Sequence, residues 1–142
     1  MKILLAVDGS KNSLDAVRSL VEHAGWYKDA PTVVLTFVHL PVPRIGAFGA
    51  GPSKTAVEKY YREEGAEAIA KAQKLLDKAG IPHTDSILVG DIADTICKHA
   101  EARGCDMIFV GTRGLSATAN LLVGSVATKV LHISKVPVLL VK

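Results

Sequence analysis

Four residues in the last third of the chain carry the clearest chemical signal. Gly111 and Gly114 are separated by two residues, and nine more lead to Gly124, with Ser125 next to it. Glycines let a backbone approach an anion closely. A helix starting at Ser125 would add unpaired N–H groups and about half a positive charge, and Ser125 adds a hydroxyl donor. Together these make a phosphate cradle; two ordinary turns and a helix cap describe the same spacing, and both readings stay open on spacing alone. A Walker loop is excluded, because no Gly-Lys-[Ser/Thr] follows. The dinucleotide fingerprint would sit after the first strand.

Asp8 is the second candidate, in Val7-Asp8-Gly9-Ser10. At a strand end it suits a ribose or a divalent ion, or a cap on the next helix; Ser10 suits the cap. Arg113 suits a phosphate or open solvent. His39, closing an apolar run, is expected as a structural histidine, and His23, His83, His99 and His132 as surface residues without ligand spacing. Cys97 falls on a helical apolar stripe and Cys105 borders a strand; they form no CxxC pair. Tyr60 and Tyr61 are expected to pack. No nucleophile with a base, carboxylate pair or hydrolase elbow emerges, so no catalytic residue is assigned.

The 142 residues point to one domain, 1–142, large enough for a core without staples. Residues 1–71 carry 9 basic and 8 acidic groups, and residues 72–142 carry 8 and 6. This even balance argues against a nucleic-acid footprint or a basic membrane tail. An aromatic content of 5% argues against a base-stacking platform. Five apolar residues follow Lys2 before Asp8, short of the roughly 7–15 of a secretory core. No run approaches the ~20 residues of a membrane span, and no C-terminal lipid motif is present. A reduced, cytoplasmic protein is expected.

Five apolar runs read as strands: residues 3–7, 32–40, 86–89, 107–110 and 136–141. Several are continuously apolar, as strands covered on both faces are. Helical stripes fill the intervals at 12–24 (stopped by Gly25), 53–79 (interrupted by Gly65), after Asp91 as N-cap until Gly104, and 125–134. Residues 41–52, with three prolines and three glycines, read as a loop. Strict alternation implies an α/β fold, one doubly wound parallel sheet with helices on both faces. Ligands of such sheets sit beyond the carboxyl ends of the strands where strand order reverses. If strands 1 and 4 flank that point, Asp8 and the glycine turn face one crevice.

These segments resemble the universal stress protein family across essentially the whole chain. The resemblance rests on Val7-Asp8-Gly9-Ser10, Val38-His39-Leu40, Val89-Gly90-Asp91, Val110-Gly111-Thr112-Arg113-Gly114, Gly124-Ser125-Val126-Ala127-Thr128-Lys129-Val130-Leu131 and Val136-Pro137-Val138-Leu139-Leu140-Val141. The Gly-x2-Gly-x9-Gly-[Ser/Thr] pattern marks that family's ATP-binding branch, and every position of it is kept here. The resemblance implies a five-stranded sheet of order 3-2-1-4-5, adenine nucleotide alpha hydrolase-like. It implies that ATP, or AMP or ADP, lies along the ends of strands 1, 2 and 4. Gly111, Gly114, Gly124, Ser125 and Val126 would hold the phosphates; Asp8 would face the ribose or a phosphate-bound Mg or Mn ion. Ala6, Val7 and Leu40 would border the base, Val110 the sugar, and Arg113 would add a phosphate contact. Many members carry Ser-His where this chain has Thr112-Arg113. The resemblance also implies a homodimer through the last strand, 136–141.

The expected function is a nucleotide-dependent stress sensor or regulator, with an unknown protein partner, at most slow ATP hydrolysis, and loops around 41–52 and 111–124 ordered by ATP. A slow ATPase or phosphotransferase, and a dimeric stress scaffold without nucleotide, are the alternatives. A phospho-receiver would need an aspartate ending the third strand, which here ends Val89-Gly90.

Overall fold

The computed structural model describes residues 1–42, 52–114 and 123–142. Most of the proline-glycine loop at 41–52 and the segment between the second and third cradle glycines lie outside them. The elements alternate: β1 (Lys2–Ala6), α1 (Lys11–Glu22), β2 (Thr32–His39), α2 (Lys54–Lys78), β3 (His83–Val89), α3 (Ile92–Ala102), β4 (Met107–Gly111), α4 (Ser125–Ile133) and β5 (Val138–Val141). A single 3-10 turn, Ala24–Trp26, follows α1. All neighbouring strands are parallel, in the order β3-β2-β1-β4-β5. The fold class expected from the sequence is the one observed. Strand order reverses between β1 and β4.

Two cores follow from the period-2 alternation of side chains along the strands. Ile3, Leu5, Leu35 and Phe109 face α1 and α2, where Val17, Leu20, Ile69 and Leu76 are buried against them. Leu4, Val34 and Ile108 face α3 and α4, meeting Ile96, Ala100 and Val130. Both faces of β1 are thus sealed, and Leu4 and Leu5 are fully buried; each such side chain contributes about 2 kcal/mol of transfer free energy.

Helix ends follow local chemistry. Ser10, Ser53 and Asp91 cap α1, α2 and α3, each accepting from the N–H three residues on. Gly80 and Gly104, at φ 66° and 60°, end α2 and α3 in the left-handed region. Gly25, the stop expected from the sequence, does not end α1. The helix ends at Glu22, and the His23 backbone N–H reaches the Ser19 carbonyl at 3.1 Å, with its ring Nδ1 2.7 Å from the same oxygen. Gly65 is no mere interruption. A Cβ there would lie 2.6 Å from Ile87 Cγ2, so the missing side chain lets α2 press onto β3.

Two strand limits differ from expectation by more than one residue. β3 begins at His83, three residues early, because an edge strand tolerates the polar His83-Thr84-Asp85. β5 begins at Val138; Pro137, which has no N–H, still accepts from the Ile108 N–H at 2.8 Å. Three histidines expected on the surface are half-buried: His23 at the end of α1, His83 between Asp77 and Asp85, and His99, 3.1 Å from Ser86 Oγ. His132 is exposed. Burial, with Arg103 nearby, pushes His99 below the usual imidazole range.

Candidate functional site

At the carboxyl ends of β1, β2 and β4 a cavity of about 710 Å³ opens where strand order reverses. Its floor is the end of β1. The Val7 N–H continues the ladder one residue past the strand, donating to Thr36 O at 2.9 Å, so Asp8 emerges at the crevice. Asp8 Oδ1 accepts from the Ser10 N–H at 3.0 Å, and Ser10 Oγ accepts from the Ser13 N–H at 3.2 Å. Ser10 is thus the cap of α1, and Asp8 accepts within the turn that precedes it while lining the cavity.

The β4 wall is built from backbone. A Cβ on Gly111 would lie 2.8 Å from the Asn12 carbonyl oxygen, so the start of α1 packs directly on this residue. A Cβ on Gly114 would lie 2.6 Å from Asp8 Oδ2, which places the carboxylate against the second glycine. The Thr112 N–H donates to Val141 O at 2.8 Å, and the Gly124 N–H donates to Thr112 O at 2.6 Å. That last bond brings the two ends of the glycine segment together. Gly124 is the N-cap of α4 and supplies no side-chain cap. The helix therefore starts at the cavity with its first N–H groups uncapped by a side chain, and Ser125 lines the same space.

The β2 and α2 wall is built from side chains: Thr36, Phe37, Val38, His39 and Leu40 from β2 and its exit, Glu64 and Ala68 from α2. His39 Nε2 pairs with Glu64 Oε2, and His39 Nδ1 lies 3.3 Å from the Leu40 carbonyl oxygen. The His39 ring packs against Phe37, Tyr60 and Tyr61 at centroid distances of 5.4, 5.3 and 4.9 Å. Glu64 also bonds Tyr60, whose hydroxyl is thereby pushed above the usual phenol range. Tyr61 Oη accepts from the Val42 N–H at 2.6 Å. The two tyrosines pack, as expected, and neither lines the cavity.

Ile92 and Ile96 of α3 and Val126, Ala127 and Thr128 of α4 complete the lining. At the rim a smaller recess of about 210 Å³ lies between Leu40, Asp91, Ile92 and Lys129. Lys129 Nζ donates to Asp91 Oδ1 at 2.9 Å and Asp94 Oδ2 at 2.6 Å, joining the starts of α3 and α4. The Lys129 bond holds the Asp91 carboxyl down at about 2, helped by hydrogen bonds from Asp94.

All eleven residues singled out in the sequence line the one cavity: Ala6, Val7, Asp8, Leu40, Val110, Gly111, Arg113, Gly114, Gly124, Ser125 and Val126. Sequence reasoning missed Thr36, Phe37, Glu64 and Ala68. Thr36 was within reach, because a parallel register sets it opposite Ala6. Glu64 was not; no motif announces that residue 64 of a long helix meets residue 39. Both cysteines are buried, and desolvation pushes both thiols up. Among the described residues, no group of three or more His, Cys, Asp or Glu could hold a metal ion, and no helix is long and apolar enough to cross a membrane.

Comparison with known proteins gives a consistent result. Universal stress protein MJ0531 of Methanocaldococcus jannaschii is 33% identical over 141 residues, spanning 99% of this chain and 81% of the relative. The solved structure of MJ0577, from the same organism, superposes with a TM-score of 0.82 at 28% identity, covering 99% of this chain and 94% of that one. A universal stress protein solved in complex with cAMP superposes with a TM-score of 0.64 at 26% identity, covering all of this chain and 96% of the other. The profile of the universal stress protein family matches residues 1–142, and the chain belongs to that family.

Proposed function

We propose that this chain binds an adenine nucleotide in the cavity at the β1/β4 switch point and acts as a nucleotide-dependent regulator of a stress response. The observation that carries the reading is the glycine wall. Gly111 and Gly114 stand where side chains would strike backbone or Asp8, and Gly124 opens a helix N-terminus toward the same space. Such an arrangement suits a phosphate. The apolar lining between β1, β2 and α3 suits a flat base, and a solved relative of this fold holds cAMP.

In this reading Gly111, Gly114, Gly124, Ser125 and Val126 hold the phosphates, with Arg113 beside them. Asp8 faces the ribose, Ala6, Val7 and Leu40 border the base, and Val110 closes the sugar side. Asp8 is a single carboxylate, which fits Mg²⁺ or Mn²⁺ carried in on a polyphosphate better than a resident metal. The domain spans 1–142 and works in the cytoplasm. Its exposed edge strand β5, where Leu139 is 41% exposed, pairs with a second copy as a homodimer.

Calorimetric titration of Mg·ATP and of AMP into nucleotide-stripped protein tests this, with Gly124→Val as control. Gly124 is the right glycine to change: an added Cβ meets Thr112 O at 3.4 Å, ordinary contact, so the fold should survive while the cradle fills. Micromolar binding lost in the variant supports the reading. Binding unchanged in the variant, or absent from the parent, rejects it.

A further inference from the structure

The phosphate wall depends on where α4 begins, and α4 does little to fix that itself. Its N-cap, Gly124, offers no side-chain oxygen, and its first turn holds no acidic residue. Either feature would steady the helix start, and either would compete with a bound anion for it. One backbone bond, from the Gly124 N–H to Thr112 O at 2.6 Å, ties the start to β4. The second tie is a side chain. Lys129 stands four residues beyond Ser125, on the same face of the helix. Its Nζ donates to Asp91 Oδ1 at 2.9 Å and to Asp94 Oδ2 at 2.6 Å. A cation so near a helix N-terminus runs against the dipole, so Lys129 does not serve α4 as an isolated helix. Its partners are on α3, where Asp91 is the N-cap and Asp94 lies in the first turn. The oxygen that caps α3, Asp91 Oδ1, accepts both the Asp94 N–H at 3.1 Å and the Lys129 ammonium. The starts of both helices are thus fixed to one atom. That atom borders the rim recess, which shares Leu40, Ile92, Ser125 and Val126 with the main cavity.

We infer that Lys129 is a positioning residue for the phosphate wall: its bridge to Asp91 and Asp94 sets the start of α4 against α3, and so aims the α4 N–H groups, without touching the nucleotide. This deepens the nucleotide reading and rests on it. Ser125 and Val126 do the holding, and Lys129 decides where they stand. Two carboxylates already share the one ammonium, which argues against a direct bond from Lys129 to a phosphate. All three side chains are about half exposed, so the bridge adds little to folding. Its effect falls on the orientation of one helix end, where a small misplacement weakens every hydrogen bond that the end makes.

The test is calorimetric titration of AMP into nucleotide-stripped parent protein, Lys129→Met, Lys129→Arg and the double variant Asp91→Asn/Asp94→Ala. The double variant keeps α3 capped, because asparagine caps as well as aspartate. Lys129→Met should weaken AMP binding about fivefold, the upper range for an exposed ion pair. Lys129→Arg, whose guanidinium still reaches carboxylates, should stay within about twofold of the parent. The double variant separates the bridge from simple charge. It removes two negative charges from the rim of an anion site, so charge alone would raise AMP affinity. Loss of the bridge should instead lower it, by about threefold. Adding Lys129→Met to the double variant should then cost nothing more, because the interaction is already gone. AMP affinity unchanged in Lys129→Met, a loss in Lys129→Arg as large as in Lys129→Met, or a gain in the double variant overturns the positioning role and leaves the nucleotide reading intact. Absence of AMP binding by the parent overturns both.

Discussion

The two walls of the cavity are built on different principles. The β4/α4 wall is backbone: glycines, a helix N-terminus, and short bonds from Gly124 to Thr112 and from Thr112 to Val141. The β2/α2 wall is side chains: His39 held by Glu64 and three aromatic rings, on a helix that approaches only because residue 65 is glycine. A backbone wall has a fixed shape and cannot yield to added volume. A side-chain wall can repack. The first kind suits recognition of an invariant group, and the second suits adjustment.

The same substitution at one glycine of each wall tests this contrast most strongly. Gly111→Ala sets a Cβ against the Asn12 carbonyl, which belongs to the first turn of α1 and cannot move alone. It should destabilise the protein by about 3 kcal/mol, at the upper end of overpacking costs. Gly65→Ala sets a Cβ 2.6 Å from Ile87 Cγ2 and 2.9 Å from its Cγ1 and Cδ1, a clash with one side chain and no backbone, and gains about 1 kcal/mol of helix propensity, so its net cost should be about 1 kcal/mol. Urea denaturation of both variants measures the difference. Equal costs would mean the walls do not differ in stiffness.

That contrast also explains what could be read in advance. The backbone wall was legible because close approach demands glycine, and glycines at fixed spacing are visible in a sequence. Alternation of apolar runs and helical stripes gave the sheet, and topology then set Asp8 beside the glycine turn. The side-chain wall was not legible. His39 and Glu64 lie 25 residues apart, and only the docking of α2 on β3 through Gly65 and Ile87 joins them. The edge strand β3 was cut short because its outer residues are polar, which periodicity scores against a strand. The end of α1 was misplaced for a similar reason: a histidine ring did the work usually given to glycine.

A smaller effect separates the rim from the cavity it borders. Asp91 is lowered from its ordinary 3.8 to about 2 by Lys129 first and by its bonds to Asp94 second. Because its folded-state value is depressed, its contribution to stability is complete above about pH 4 and fades as pH falls toward about 2. The melting temperature of the parent protein should thus drop more steeply between about pH 4.5 and about pH 2.5 than that of Asp91→Asn. Parallel curves would show that the Lys129 bridge, exposed to solvent, contributes nothing to folding.

The smallest effect concerns the thiols, which lie in the core between the sheet and α3 and α4. Burial raises both Cys97 and Cys105, so neither presents thiolate at neutral pH. A thiol reagent should react with the folded protein slowly and with the urea-unfolded protein at once. Rapid reaction of the folded protein would reveal an opening of that core.

The central claim is that the backbone wall receives the phosphate of an adenine nucleotide. The most direct test is an amide chemical-shift titration of isotopically labelled protein with AMP. The account predicts that the largest shifts fall on Gly111, Gly114, Gly124, Ser125 and Val126, with a second group at Val7 and Asp8. Saturating AMP that leaves those amides unmoved, or moves a set elsewhere on the surface, would contradict it.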